Sequence, residues 1–237
     1  MTEKYTLLVC DDDEDIRSAL RIYLTGAGYE VITAANGAEA VQIARESREN
    51  SLHCVLLDVM MPFMDGIAAA VSIREFSNVP IIFLSAKAED ADRILGLDMG
   101  GDDYITKPFV PAELFARVKS AIRRYARLGG ASDTEMSNVF RSGGLVMDNN
   151  KKLVTTDGEP VSLTALEYNI LKLLLSHPDY VFSSERIYEA VWDEPAYDVS
   201  KTVSVHIRHI REKIEPSPKE PRYLKVVYGL GYKVVKL

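Results

Sequence analysis

Cysteine is scarce in this chain. Cys10 and Cys54 are the two among 237 residues, and both sit inside apolar runs. That argues against a disulfide-stapled scaffold, and no CxxC or HExxH spacing supports a zinc site. The pair reads as reduced core thiols, the usual environment of a free cysteine. No run of about 18 apolar residues occurs, so no helix is expected to span a membrane. The stretch Met1 to Asp15 offers only Leu7-Leu8-Val9-Cys10 before five consecutive acids. That lacks the basic, apolar, small-residue order of a secretory signal, and a cytoplasmic protein is expected. No GxGxxG follows the first apolar run, which argues against a dinucleotide fold. Glycine and proline, 14 and 10 residues, are at ordinary levels, which excludes collagen and disorder over most of the length.

The charge that is present is unevenly placed. The formal net charge is −7. Residues 1–125 carry 13 basic and 20 acidic side chains, a net of −7, and residues 126–237 carry 15 of each. Within the latter, residues 200–237 hold nine basic and three acidic groups, a net of +6. At about 150 residues per domain the length admits two small domains, and an acidic half followed by a basic end suggests two sites with different partners.

The first half alternates short apolar runs (Tyr5–Cys10, Tyr29–Thr33, Cys54–Leu57, Pro80–Leu84, Tyr104–Ile105) with stretches of helical spacing. Ile16, Leu20, Tyr23, Leu24 and Ala27 lie on one helix face, and Gly28 follows as a stop. Ala40, Val41 and Ala44 form a second helix, Ile67, Val71 and Ile73 a third, Ile94, Leu97 and Met99 a fourth, and Leu114, Val118, Ala121 and Ile122 the last. Five strands alternating with five helices predict an α/β domain over residues 1–125, a doubly wound five-stranded parallel sheet covered on both faces. Residues 126–138 lack periodicity and are rich in Gly, Ser and small polar groups, as in a flexible linker. Residues 139–237 read as α+β. Asp148-Asn149-Asn150 and Asp157-Gly158 are hairpin signals. Helices are expected over Thr164–Leu175, with a Thr164/Glu167 capping box, over Ser184–Val191 and over Val199–Ile214. A hairpin from Tyr223 to Val235 closes the chain, making a winged helix-turn-helix.

In open parallel sheets, ligands bind outside the carboxyl ends of the strands. Here strand one ends in Asp11-Asp12-Asp13, strand three in Asp58, strand four in Ser85 and strand five in Lys107. Carboxylates converging on one crevice call for a hard divalent cation, and Mg²⁺ suits one or two carboxylates plus a phosphate. A lysine and a hydroxyl opposite can hold further phosphoryl oxygens, and Asp58 can then act as a nucleophile forming an aspartyl phosphate. Asp13, Glu14 and Asp15 read instead as a helix cap and dipole partners. A calcium loop beginning at Asp11 fails, with Ile16 where Gly is needed and Ile22 where Glu is needed.

Leu8-Val9-Cys10-Asp11-Asp12, Leu56-Leu57-Asp58-Val59-Met60-Met61-Pro62, Asp65-Gly66, Ser85-Ala86 and Asp102-Asp103-Tyr104-Ile105-Thr106-Lys107-Pro108-Phe109 resemble a bacterial response-regulator receiver domain, with the flavodoxin/CheY-like fold. The resemblance implies that Asp58 accepts phosphate from a sensor histidine kinase. It implies that Asp11, Asp12, Asp58 and the Met60 carbonyl bind Mg²⁺ or Mn²⁺, that Ser85 and Lys107 contact the phosphoryl group, that Tyr104 changes rotamer with state, and that Lys107-Pro108 is cis. Arg93, Asp102, Asp103, Glu113, Arg117 and Arg124 read alone as solvated surface charges. They resemble the inter-subunit salt-bridge set of the OmpR/PhoB subfamily, which implies a homodimer on phosphorylation.

At the basic end, Val203, Ile207, Ile210 and Ile214 form an apolar stripe. Thr202, Val205, His206, His209 and Lys213 form another stripe, with Lys201, Arg208 and Arg211 also outside the apolar one. Such a helix suits a major groove, and Lys225, Tyr228, Tyr232 and Lys233 flank a Gly-Leu-Gly tip able to approach a backbone. Leu163–Tyr168, Val203–Arg208 and Tyr228–Tyr232 resemble the OmpR/PhoB winged-helix effector. That resemblance implies promoter DNA as a partner, and RNA polymerase at the loop Trp192–Asp198. Tyr228 stands where the family usually has Arg, and His209 where Arg is frequent. The expected protein is a DNA-binding transcription regulator and not a turnover enzyme. The alternative is a haloacid-dehalogenase-like phosphatase using Asp11, Asp13, Ser85, Lys107 and Asp102-Asp103. It is opposed by Asp15 where Thr or Val is usual, by Lys107 following the acidic pair, and by leaving Asp58 and the basic end unused.

Overall fold

The structure is a computed structural model that describes residues 5–47, 51–86, 100–129, 138–197 and 199–237. It divides into two units, Met1–Tyr125 and Ala126–Leu237. The first contains β1 (Thr6–Cys10), α1 (Glu14–Gly26), β2 (Glu30–Ala34), α2 (Gly37–Glu46), β3 (Cys54–Asp58), α3 (Gly66–Arg74), β4 (Ile81–Ala86), β5 (Asp103–Lys107) and α4 (Pro111–Gly129). The strands pair in parallel in the order β2-β1-β3-β4-β5. The helix expected around Ile94, Leu97 and Met99 lies outside the described residues, as does Arg93.

Alternation along the strands decides which helices cover which face. Leu8, Cys10, Val55, Leu57, Ile81 and Phe83 pack with Ala40, Ala44, Ala69, Ala70 and Ile73 of α2 and α3. Their neighbours Leu7, Val9, Cys54, Leu56, Ile82, Leu84 and Ile105 pack with Leu20 and Leu24 of α1 and Leu114, Val118, Ala121 and Ile122 of α4. Strands buried on both faces therefore read as unbroken apolar runs. Asp13, Asn36 and Asp65 cap α1, α2 and α3 by accepting backbone N–H groups of their first turns, as short polar side chains do where helical donors lack partners. β5 extends beyond the expected Tyr104–Ile105 because Asp103 and Lys107 pair with Ile82 and Ala86.

The second unit opens with an antiparallel sheet of β6 (Val139–Ser142), β7 (Leu145–Asp148), β8 (Leu153–Thr156) and β9 (Glu159–Val161). Asp157 and Gly158 turn β8 into β9 with φ of +51° and +93°, as a tight hairpin requires. Then follow α5 (Ala165–Leu175), α6 (Ser184–Trp192), α7 (Ser200–Ile214) and the hairpin β10 (Leu224–Val227)–β11 (Gly231–Val234). Thr164 and Glu167 form the expected reciprocal capping box. Leu166, Ile170, Leu171 and Leu174 pack with Val203, Ile207, Ile210 and Ile214 around the fully buried Trp192 and Tyr223. One boundary differs from expectation. Ala126–Gly129, assigned to the linker, continue α4, because an amphipathic helix does not stop where its apolar stripe thins unless a breaker intervenes. Residues 130–137 lie outside the described residues.

Both thiols are enclosed. Burial, and next the Asp11 carboxylate, push the Cys10 thiol up to about 12, and burial raises Cys54 as well. Since the thiolate is the reactive form, iodoacetamide at pH 8 should leave the native chain unmodified while guanidinium-unfolded chain takes two adducts by mass spectrometry. Rapid modification of the native chain would contradict this packing.

Candidate functional site

β1, β3, β4 and β5 lie side by side, so their carboxyl ends form one edge. Asp11 follows β1, Asp58 ends β3, Ser85 lies near the end of β4 and Lys107 ends β5. The Lys107 ammonium donates to Asp11 Oδ2 at 2.6 Å and stands 3.0 Å from Asp58 Oδ1. One cation thus bridges carboxylates from two neighbouring strands. Asp11 is fully buried, and its Oδ1 accepts the Asp13 N–H at 3.0 Å. Asp12 is exposed, and Arg17 donates to the backbone carbonyls of both Asp11 and Asp12.

The electrostatics are unbalanced. Carboxylate oxygens of Asp11, Asp12 and Asp58 lie within 4.8 Å of one another, and one ammonium cannot neutralise three acids. Burial pushes the Asp58 carboxyl above its ordinary range, while the hydrogen bond and charge of Lys107 pull it back. Burial works against the Lys107 ammonium, but hydrogen bonds to Asp11 and Asp58 prevail and its pKa is raised. A set of three hard oxygen donors with surplus negative charge fits a divalent cation of the Mg²⁺ class.

Around this centre, Ser85 is buried, with its hydroxyl donating to the Ala86 carbonyl at 2.9 Å. The Lys107–Pro108 peptide is cis. The Met60 side chain is largely exposed. Gly66 is required by close approach: a Cβ there would stand 2.0 Å from the Asp58 carbonyl oxygen, and its N–H donates to the Val59 carbonyl. The half-buried Tyr104 ring lies 6.0 Å from the Arg117 guanidinium. Arg117 grips both Asp103 oxygens at 3.1 and 3.0 Å and Glu113 at 3.2 Å.

The supposed surface charges are thereby corrected. Asp102 and Asp103 are 4% and 1% exposed. Asp102 pairs with Arg74 at 2.6 Å and accepts the Ile81 N–H at 2.8 Å. Asp103 is held by Arg117 within the same chain. Arg124 is buried too and donates to Ser120 at 2.7 Å. The partners of Asp102 and Asp103 lie 28 and 14 residues away in sequence, out of reach of local patterning. Of that set, Glu113 and Arg117 remain partly exposed, and Arg93 is outside the described residues.

In the second unit, the open face of α7 carries Lys201, Ser204, Arg208 and Glu212, with half-buried His209 and Arg211 beside it. Thr202, Val205 and His206, expected on the open stripe, are 5%, 6% and 2% exposed. Covered surface on this helix extends past the four-residue apolar stripe, and the His206 ring lies 5.6 Å from that of Trp192. Lys213 pairs with Glu167 at 2.6 Å, and Lys233 with Asp179 at 3.1 Å. At the hairpin tip, Tyr228 and Leu230 are 89% and 65% exposed. Sequence reasoning missed Arg74 and Glu215. Glu215, though buried, accepts the N–H groups of Arg222, Tyr223 and Leu224, and bonds to backbone leave no pattern in side-chain spacing.

Comparison with known proteins agrees with both units. Residues 7–119 match the response regulator receiver domain, and residues 158–234 match the C-terminal domain of transcriptional regulatory proteins. The uncharacterised transcriptional regulatory protein YcbL of Bacillus subtilis is 40% identical over 227 residues, covering 96% of this chain and 99% of that one. The regulatory protein VanRc of Enterococcus gallinarum is 36% identical, with both chains covered in full. A solved structure of a RitR mutant is similar in fold, with a TM-score of 0.75 at 22% identity over 98% of this chain and 99% of its own.

The buried Arg74–Asp102 pair yields a test. Asp102→Ala leaves the Arg74 guanidinium and the Ile81 N–H short of an acceptor, and removing one partner of a buried pair costs about 3–5 kcal/mol. Urea unfolding should show a loss of that order. A loss under about 0.5 kcal/mol, typical of a surface site, would restore the surface reading.

Proposed function

Because the chain belongs to the OmpR/PhoB-type response regulators, DNA-binding proteins of two-component systems that control transcription, we propose that Asp58 is the residue that accepts phosphate from the sensor histidine kinase. The observation that carries this reading is the Lys107 ammonium seated between Asp11 and Asp58 at the carboxyl edge of the sheet. An Asp58 oxygen attacks phosphorus, the P–N bond to the donor histidine breaks, and the imidazole leaves with the electron pair. Desolvation raises the energy of the attacking carboxylate. Lys107, already charged and within reach, meets the developing phosphoryl oxygens. Ser85 can turn its hydroxyl from the Ala86 carbonyl to another of those oxygens.

Asp11, Asp12 and Asp58, with the Met60 carbonyl, would hold Mg²⁺ or Mn²⁺. When bound, such an ion neutralises charge on the entering phosphoryl group. The modification adds about 1.5 to 2 negative charges beside an already acidic cluster. The new oxygens draw Lys107 and Ser85, Tyr104 moves into the space Ser85 leaves, and the neighbouring Arg117–Asp103–Glu113 chain responds. Self-association through the face bearing Glu113 and Arg117 would follow, placing two effector units on adjacent half-sites. The protein is read as a cytoplasmic regulator whose only chemistry is its own phosphotransfer and dephosphorylation. RNA polymerase would meet the loop after Trp192.

On DNA, Lys201, Arg208 and His209 are the groups of α7 best presented to a groove, with Tyr228 at the wing tip. Lys213 and Lys233 would reach phosphates only by leaving Glu167 and Asp179.

Two outcomes test this reading. Asp58→Asn should take up no phosphate from acetyl phosphate with Mg²⁺, read on a phosphate-affinity gel, while the wild-type chain is labelled; labelling of the variant would sink the assignment. Binding of the wild-type chain to duplex DNA should weaken steeply with salt, at about 0.9 decades of affinity per decade of salt for each phosphate contacted. A flat response would exclude backbone-led DNA recognition.

A further inference from the structure

Two charged residues of α7 and its end have polar atoms engaged or enclosed within the second unit. Arg211 donates through Nε to the Leu224 carbonyl at 2.9 Å. Its Nη2 is enclosed and faces no acceptor. Burial lowers its pKa, as expected of a guanidinium withdrawn from water. One turn on, Glu215 closes the helix and receives three consecutive N–H groups, from Arg222 at 2.6 Å, Tyr223 at 3.0 Å and Leu224 at 2.7 Å. Both side chains therefore grip the first residue of β10, one through its carbonyl and one through its N–H. Without Glu215, three adjacent donors at the entry to the hairpin would lose their acceptor.

The opposite strand is pinned from the other side. Tyr232 and Phe182 exchange both backbone hydrogen bonds at 2.9 Å, and the Asp179 N–H donates to the Val234 carbonyl at 2.7 Å. This approach is so close that a Cβ on Gly231 would stand 2.0 Å from the Phe182 carbonyl oxygen. The hairpin is thus fixed at β10 to α7 and at β11 to the segment before α6. Its tip presents Tyr228 and Leu230, with no cation between them.

We propose that Arg211 and Glu215 are positioning residues that lock the β10–β11 hairpin to α7, so that helix and tip meet DNA as one rigid unit, and that Arg211 is not a phosphate contact. A reader element held in advance loses less conformational freedom on binding. Since this rests on the DNA-binding reading, the test separates the two. The probe is a duplex selected from random sequence by the wild-type full-length chain, titrated over a salt series with the chain phosphorylated by acetyl phosphate.

Arg211→Met and Arg211→Lys should both lose about tenfold or more in affinity with the salt slope unchanged, because a lysine restores charge but not the Nε–carbonyl bond. A phosphate contact predicts the reverse: Arg211→Met flattens the slope by about 0.9, and Arg211→Lys binds within about threefold of wild type. That result overturns the proposal. Should Arg211→Met fail to fold by circular dichroism, Glu215→Gln replaces it. Glu215→Gln keeps the volume and one acceptor oxygen, and should lose affinity at constant slope. Wild-type affinity in folded Glu215→Gln overturns the proposal. Failure of the DNA-binding reading would appear earlier, as a wild-type chain that selects no duplex or binds without salt dependence.

Discussion

The contact on which the first unit's chemistry depends is the Lys107 ammonium between Asp11 and Asp58. Parallel pairing carries Asp11 and Asp58 to one edge beside the exposed Asp12, where the three carboxylates repel each other. A single lysine from the outer strand β5 offsets part of the repulsion. The remainder leaves the edge with surplus negative charge, compatible with a divalent cation. The neighbouring geometry serves this arrangement. Gly66 lets the chain leave β3 against the Asp58 carbonyl, and Asp13 turns the acidic run after β1 into the cap of α1.

The second unit solves a different problem. On the proposed mode of DNA binding, α7 and the β10–β11 hairpin have to present a common surface, and short strands alone are a weak constraint. Buried polar bonds to backbone supply the missing stiffness at β10, and close backbone approach supplies it at β11. The charges used in this way are the half-buried Arg211 and the buried Glu215. One is basic and the other acidic, so together they leave the net +6 of residues 200–237 unchanged; that figure overstates the charge available to a ligand because Lys213 and Lys233 are paired with Glu167 and Asp179, outside the segment.

The doubly wound sheet was legible because apolar runs and 3.6-residue spacing are local signals. The acidic site was legible because strand ends in a parallel sheet converge by topology. The fates of single charges were not. Asp102, Asp103 and Arg124 read as surface groups, since their burial depends on how the elements pack and not on local spacing. Asp102 meets Arg74 across 28 residues, and Asp103 meets Arg117 across 14. The helical wheel placed Val203, Ile207, Ile210 and Ile214 inward correctly. It could not register how far coverage spreads past that stripe, and so left Thr202, Val205 and His206 exposed. Ala126–Gly129 read as linker by composition, yet composition does not end a helix already begun.

The central claim is that one carboxylate, Asp58, carries the phosphoryl group. An acyl phosphate is reduced by borohydride to the alcohol, which converts a modified aspartate to homoserine. The wild-type chain, phosphorylated with acetyl phosphate and Mg²⁺, reduced and mapped by peptide mass spectrometry, should show homoserine at position 58. Homoserine at position 11, 12 or 13 in place of position 58, or at no aspartate in a chain shown to be phosphorylated, would contradict the account.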